Sequence, residues 1–371
     1  MLPFAFVAAV LLLVMGVTMS LRSGVDVGGT TFPLAPTASQ EAVKQLGTNG
    51  GGIFNANSAH PFENPPALSN LFEIFLLLVV PVSLTRTFGT MVGNRRQGSV
   101  LLTVMAGLWA IMLTVAWLAE THPNGAAGIA AGAMEGKETR FGVPSSILFG
   151  VSTTGTSTGA VNSLHDSYSG GAGGVTLLNM LLGEVAPGGV GAGLYGLLVL
   201  AIIAVFLAGL MVGRTPEYLG KKLGRREVTA AAVSILVMPA VVLVGAGLAI
   251  ALPGTLDALN NDGAHGFSEV LYAYASAANN NGPAFAGITV TSDFFQSTLG
   301  IAMLLGRFVP ILAILALAGS LAQQRRTEAG AGTLATDKPL FGVLVAGTVV
   351  LVAALTFFPA LALGPIAEAL A

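Results

Sequence analysis

Long apolar runs separated by short polar stretches dominate the chain, and their lengths set the first expectation. A helix needs about 20 apolar residues to cross a hydrocarbon core roughly 30 Å thick. Runs of that kind extend over Leu2–Met19, Leu68–Phe88, Val100–Leu118, Val228–Ala251, Thr298–Leu321 and Leu340–Leu363. The region Val175–Val212 holds one more span, interrupted by Glu184-Val185-Ala186-Pro187-Gly188-Gly189. The pattern predicts seven spans, one of them discontinuous. Leu2–Met19 lacks the basic n-region of a signal peptide and reads as a span.

Between spans, three segments are too apolar to be plain loops. Each contains a short helix-like piece, Ser39–Leu46, Pro144–Val151 or Phe267–Ala277, too short to cross. A small polar turn follows each piece: Thr48-Asn49-Gly50, Thr153-Thr154-Gly155 and Asn280-Asn281-Gly282. The repeat predicts a span, pore helix, exposed backbone, span unit. The fold class is an all-α integral membrane protein of helix, pore-loop, helix modules around a central ion filter. Its divisions fall at 1–97 (incomplete at its start), 98–226 (with the discontinuous second helix), 227–326, and a last helix over 327–371.

Composition sharpens this picture. Of 371 residues, 53% are hydrophobic and 9% charged, with mean hydropathy +0.79, whereas soluble domains carry about 25% charged residues. A net charge of −2 leaves no footprint for nucleic acid. With no cysteine, thiolate metal sites and cysteine nucleophiles are excluded. His60, His122, His165 and His265 are scattered, without metal-ligand spacing. Glycine clusters at Gly50–Gly52, Gly170–Gly174 and Gly188–Gly193 read as too dense for uninterrupted helix. Three loops, 86–96, 214–226 and 325–338, hold eleven of the sixteen basic residues, including Arg214, and are expected on the cytoplasmic side. The alternate, more acidic segments then face outward.

The three turns suit a dehydrated cation. Its water oxygens must be replaced by carbonyl or hydroxyl oxygens, which a ring of extended loops supplies. Glycine permits backbone angles that turn carbonyls inward, and threonine adds a hydroxyl oxygen. The turns contain no carboxylate, which favours a monovalent ion over calcium. The bland alternative for any one such turn is a tight connection between helices.

Four strings carry a family resemblance: GTNGGGIFNANSAHPFENP (Gly47–Pro65), STTGTSTGAVNSLHDSY (Ser152–Tyr168), GRTPEYLGKK (Gly213–Lys222) and SAANNNGPAFAG (Ser276–Gly287). The chain resembles the potassium-binding, channel-like A subunit of the bacterial Kdp-type potassium-transporting ATPase, a member of the potassium transporter superfamily. The resemblance implies an ATP-driven potassium-uptake complex of the bacterial inner membrane, in which this subunit is non-catalytic and selects K+ at an outward-facing filter. It implies as partners a P-type ATPase catalytic subunit, two small membrane subunits and membrane lipids, with ATP and Mg2+ handled by the catalytic partner. No GxxxxGK[ST] or DKTGT motif occurs in the chain itself. Carried over by position, the second filter segment is Thr48, Asn49, Gly50, Gly51 and Gly52. The third is Thr153, Thr154, Gly155, Thr156 and Ser157, and the fourth Asn279, Asn280, Asn281 and Gly282. The family has about one further module ahead of Met1, so a truncated or split chain is expected. The competing readings are a passive channel or transporter of the same superfamily and a non-functional remnant.

Charged residues at membrane depth complete the candidate set. Arg307, about three helical turns into its span, is expected to face protein or water below the filter and limit free permeation; snorkelling is the alternative. Glu184 reads equally as a cation way-station or as a cap for freed backbone donors. By resemblance, the break at Gly188 and Gly189 is an intramembrane barrier that turns ions sideways toward the ATPase subunit. Arg214 and Lys221–Arg226 read as positive-inside determinants or a site for a partner or anionic lipid. His60, Glu63 and Asn64 read as an outer vestibule or as ordinary loop residues.

Overall fold

The computed structural model describes residues 1–122, 132–213, 216–289, 291–327 and 333–371. Arg214 lies outside the described residues. Among these residues, six helices are long and apolar enough to cross a membrane. They are α3 (Ala67–Met91), α4 (Arg95–Thr121), α7 (Ala192–Val212), α8 (Arg225–Ala251), α10 (Asp293–Gln323) and α11 (Pro339–Leu363). Shorter helices are α1 (Leu2–Val14), α2 (Thr37–Leu46), α5 (Gly142–Gly155), α6 (Gly170–Leu181), α9 (Gly263–Asn279) and α12 (Pro365–Leu370). The protein is thus a multi-pass, helical membrane protein, as expected.

Three expectations need correction. The run Leu2–Met19 supports only the 13 residues of α1. At 1.5 Å per residue these residues cover about 20 Å, and the helix ends at Val14, five residues before the apolar run does. The helix stops because Gly16 adopts φ +99 and Val17 returns its N–H to Leu12, a glycine-based helix end. Second, Gly170–Gly174 is helical and opens α6, capped by the Ser169 hydroxyl accepting from the Ala172 N–H at 3.3 Å. These glycines serve close packing: a Cβ at Gly171 would lie 2.8 Å from Ala119 on α4, and one at Gly174 2.9 Å from Pro365 on α12. Third, an antiparallel hairpin, β1 (Gly24–Val27) with β2 (Thr30–Pro33), turns at Gly28-Gly29 with both φ positive, where no strand was expected.

Side assignment follows the basic loops. Gln97 bonds Thr336 at 2.5 Å, and the Thr327 N–H donates to Gly220 at 2.9 Å, so the described parts of the three basic loops meet in pairs at one end. The pore helices α2, α5 and α9 enter from the other end. Around them, α1 and α3 pack on α2 through Leu12, Leu46 and Leu76. A larger core joins α4, α5, α6, α7 and α11, and another joins α8, α9, α10 and the end of α11.

Helix α9 is held by contacts that leave no space for side chains. A Cβ at Gly245 on α8 would sit 2.3 Å from the Tyr274 ring, and one at Gly306 on α10 only 1.7 Å from the Ala278 carbonyl. Gly306→Ala should therefore lower unfolding stability by about 2 kcal/mol or more, the range of core overpacking. Gly300, on the same helix with nothing within 4 Å of its Cβ position, provides the control. Thermal unfolding in detergent should fall for Gly306→Ala and not for Gly300→Ala.

Candidate ion-binding site

The C-terminal ends of α2, α5 and α9 point into the same region, and each ends in the same way. A residue in the left-handed conformation follows the helix: Thr48 (φ 49), Ser157 (φ 56) and Asn280 (φ 57). The next N–H returns to a carbonyl five residues back: Asn49 to Lys44 at 3.0 Å, Thr158 to Thr153 at 3.1 Å and Asn281 to Ser276 at 2.9 Å. This is the bond that closes a Schellman helix end. A glycine then follows in each case: Gly50, Gly159 and Gly282.

These glycines make the turns converge. A Cβ on Gly50 would fall 2.2 Å from the Gly159 backbone, and one on Gly159 would fall 3.1 Å from Gly282. The Gly159 N–H donates to the Asn49 carbonyl at 3.3 Å. The third turn is buried between the other two, whereas Gly51, Gly52 and Gly282 are exposed on its flanks.

The threefold repeat is therefore present, with the third turn four residues later than expected. Thr153, Thr154 and Gly155 are the last residues of α5, not exposed backbone. Thr154 donates its hydroxyl to Gly150 at 2.7 Å and Thr156 donates to Ser152 at 2.8 Å, so both hydroxyls are satisfied by the preceding helical turn. The Thr153 hydroxyl reaches the Thr158 and Ala160 carbonyls at 2.8 and 2.6 Å and so props the following turn. Gly159 and Thr158, absent from the sequence-based set, take the equivalent positions. Asn279 is likewise the last residue of α9, its side chain bonded to the Ala275 carbonyl at 2.9 Å.

Most hydroxyls of the predicted set are engaged within the protein, including Thr48, which accepts from the Val190 N–H at 2.9 Å. Backbone carbonyls are the groups left over. Among the described residues, no N–H or O–H donates to the carbonyls of Thr48, Gly50, Ser157, Asn281 or Gly282. Each of the three helix ends also carries about half a negative charge from its macrodipole. Free carbonyls at three converging negative ends are suited to a dehydrated cation.

The break between α6 and α7 touches all three turns. Val190 donates to Thr48, the Gly188 N–H donates to the Gly155 carbonyl at 2.8 Å, and Glu184 accepts from the Asn281 amide at 2.5 Å. The same amide reaches the Thr154 carbonyl at 3.0 Å. At Gly189 a Cβ would lie 2.9 Å from the Thr156 carbonyl. Arg307 sits beside the fourth turn, donating Nε to the Asn280 side-chain oxygen at 3.3 Å, and is exposed. A cavity of about 130 Å³ adjoins this corner, lined in part by Glu184, Tyr195, Ser234, Asn279 and Pro310.

Two further sequence readings change. Glu63 and Asn64 are fully buried and do not form a solvent vestibule; His60 is partly buried, stacked on Phe54 with ring centroids 4.1 Å apart. His265, isolated in sequence, is bracketed by carboxylates, with Nε2 3.0 Å from Asp166 and Nδ1 2.8 Å from Glu368. It ties the loop after the third turn to α9 and α12. A cation at the N-terminus of α9 opposes the helix dipole, and the carboxylates offset this. Hydrogen bonds to Asp166 first and Glu368 second hold the imidazole up to about 10. Burial, with Lys137 nearby, pushes His165 down to about 3, so it stays neutral and bonds Tyr272 at 2.8 Å.

Residues 1–370 match the family described as potassium-transporting ATPase A subunit. The whole chain is 65% identical to the potassium-transporting ATPase potassium-binding subunit of Nocardia farcinica, covering 68% of that protein. It is 64% identical to the same-named subunit of Rhodococcus opacus and 59% identical to that of Streptomyces coelicolor, again covering 68% of each. Its fold is similar to the crystal structure of the potassium transporter TrkH from Vibrio parahaemolyticus, with a TM-score of 0.55 and 16% identity over 85% of this chain and 62% of that one.

The His265 clasp has a defined pH signature. Because the folded state binds the proton more tightly than the unfolded chain does, its contribution is complete below the unfolded value of about 6.5. It is lost as pH rises through the folded value of about 10. The difference in melting temperature between the wild type and His265→Gln should be largest in mild acid and close in alkali, as followed by thermal unfolding across a pH series.

Proposed function

Because the chain belongs to the potassium-transporting ATPase A subunit family, we propose that it is the potassium-binding and translocating subunit of an ATP-driven K+ uptake complex in the bacterial inner membrane. The observation that carries this reading is the convergence of Gly50, Gly159 and Gly282 at three helix C-termini with unclaimed carbonyls. Within the turns Thr48–Gly52, Ser157–Gly159 and Asn280–Gly282, the free carbonyls of Thr48, Gly50, Ser157, Asn281 and Gly282 supply backbone oxygens that replace water around K+. Thr153, Thr154, Gly155, Thr156 and Asn279 hold those turns in place. Each turn belongs to one module, over 1–97, 98–226 and 227–326, with 327–371 closing the bundle.

The break at Glu184–Gly189 packs against the turns and obstructs straight passage. Arg307 adds a positive charge at the same level, so a cation leaving the turns is repelled from a direct path. The cavity beside Glu184 and Asn279 offers a lateral route. Glu184 is a carboxylate at the junction of the two. ATP and Mg2+ act on a P-type catalytic partner, and two small membrane subunits and lipid complete the assembly.

Co-expression with the catalytic and small subunits should give K+-stimulated ATP hydrolysis in membranes; absence of stimulation would overturn the pump reading in favour of a passive transporter or an inactive chain. Within that assay, Gly159→Ala should raise the apparent KM for K+ about tenfold, equivalent to about 1.4 kcal/mol, while hydrolysis at saturating K+ persists. Arg307→Met should loosen the coupling of hydrolysis to K+ uptake, seen as more ATP consumed per ion accumulated. An unchanged ratio removes Arg307 from the coupling role.

A further inference from the structure

Behind the second turn lies a polar cluster that the sequence does not advertise. Lys44, Glu41, Gln45, Ser58, Glu63 and Glu73 are all at most 2% exposed. A buried ammonium must be fully partnered, and this one is: Lys44 Nζ pairs with Glu41 and donates to Asn57 Oδ1 at 2.9 Å, Ser58 Oγ at 3.0 Å and Glu63 Oε2 at 3.3 Å. The main chain of the same residue closes α2, since its carbonyl accepts the Asn49 N–H.

The cluster reaches the turns at two places. Glu63 Oε1 accepts the Phe54 N–H at 2.9 Å, and both its oxygens lie about 3 Å from where a Cβ of Gly52 would be, so the carboxylate lies flat against the second segment. Asn57, itself left-handed at φ 52, spans from Lys44 to the third segment, donating Nδ2 to the Gly159 carbonyl at 3.3 Å. A carboxamide has one accepting and one donating end. Lys44 Nζ and the Ser58 N–H, the latter at 2.9 Å, can only donate, so together they claim Oδ1 and direct Nδ2 at Gly159.

We propose that Lys44, Glu63 and Asn57 are positioning residues that set the register of the second and third ion-selecting turns, with the Lys44 charge fixing the Asn57 amide and through it the Gly159 carbonyl. The proposal rests on the reading of these turns as the K+-selecting backbone. It makes selectivity, and not only stability, depend on a lysine that never meets the ion.

The test uses Asn57→Asp, which keeps an oxygen for Lys44 and tolerates the left-handed backbone but cannot donate to Gly159. Lys44→Met and its conservative counterpart Lys44→Arg are read alongside. Hydrogen–deuterium exchange of the purified full chain should rise about tenfold over residues 158–161 in Asn57→Asp and stay unchanged in α8. In the assembled complex, discrimination of K+ over Na+ in stimulating hydrolysis should fall about tenfold, with hydrolysis at saturating K+ retained. Lys44→Arg should recover much of what Lys44→Met loses. Unchanged exchange at 158–161, or a rise spread equally over α8, overturns the proposal. Should wild type show no response to K+, the functional reading fails, while the exchange comparison still decides whether Asn57 positions Gly159.

Discussion

Three helix C-termini brought into contact repel one another, each carrying about half a negative charge, and the rest of the architecture answers that constraint. Gly50, Gly159 and Gly282 remove the steric obstacle, since a Cβ at the first would collide with the second. The electrostatic obstacle is met from the break between α6 and α7. Amide hydrogens of Gly188 and Val190 point at the α5 and α2 ends, and α7 begins two residues later with its positive end on that side. Asn281 contributes an amide that ties the Thr154 carbonyl to Glu184. What remains uncompensated is a set of carbonyl oxygens, and under the function proposed above a dehydrated K+ would complete the balance.

The same constraint explains why irregular backbone survives at membrane depth here. Lipid satisfies no N–H or C=O, so the ten residues between α6 and α7 must find partners in protein. Gly188 and Val190 find theirs on the turns, and Glu184, left-handed at φ 55, finds its partner in Asn281. Loop and turns stabilise each other's exposed groups. This mutual satisfaction ties the geometry of the turns to that of the break.

The spans were legible because hydropathy over about 20 residues depends on few details, and the turns because small polar residues before glycine stand out among apolar runs. The register of the third turn was not. The string Ser152-Thr153-Thr154-Gly155-Thr156-Ser157-Thr158-Gly159 contains the pattern twice, and a threonine hydroxyl can be satisfied either in a turn or by bonding back to the preceding turn within a helix. Pore helices of 10, 14 and 17 residues supply no common length to decide. Gly16 was equally ambiguous, since glycine within an apolar run is tolerated in a membrane helix and only its φ reveals the stop. The buried cluster around Lys44 was hidden for another reason. Glu41, Lys44 and Gln45 on a short helix resemble a solvated face, and only the fold brings Ser58, Glu63 and Glu73 over them.

Two buried ion pairs among the described residues sit at such junctions. Lys44 with Glu41 and Glu63, and Lys137 with Glu120 at 2.6 Å, lie on the outward half where loops return between helices. Isolated charges at these positions would be costly, and replacing one partner leaves the other unpaired, so the pairs act as fixed points in segments that lack regular hydrogen bonding. Arg307 differs. Its hydrogen-bond partner is the neutral side chain of Asn280, it forms no ion pair among the described residues, and it remains exposed, with the Glu184 carboxylate near enough to interact with it. A paired arginine would stabilise the turn without acting on an ion. Under the function proposed above, an unpaired one would act on any cation that approaches, and the adjacent Glu184 would mark the side on which that repulsion is weakest.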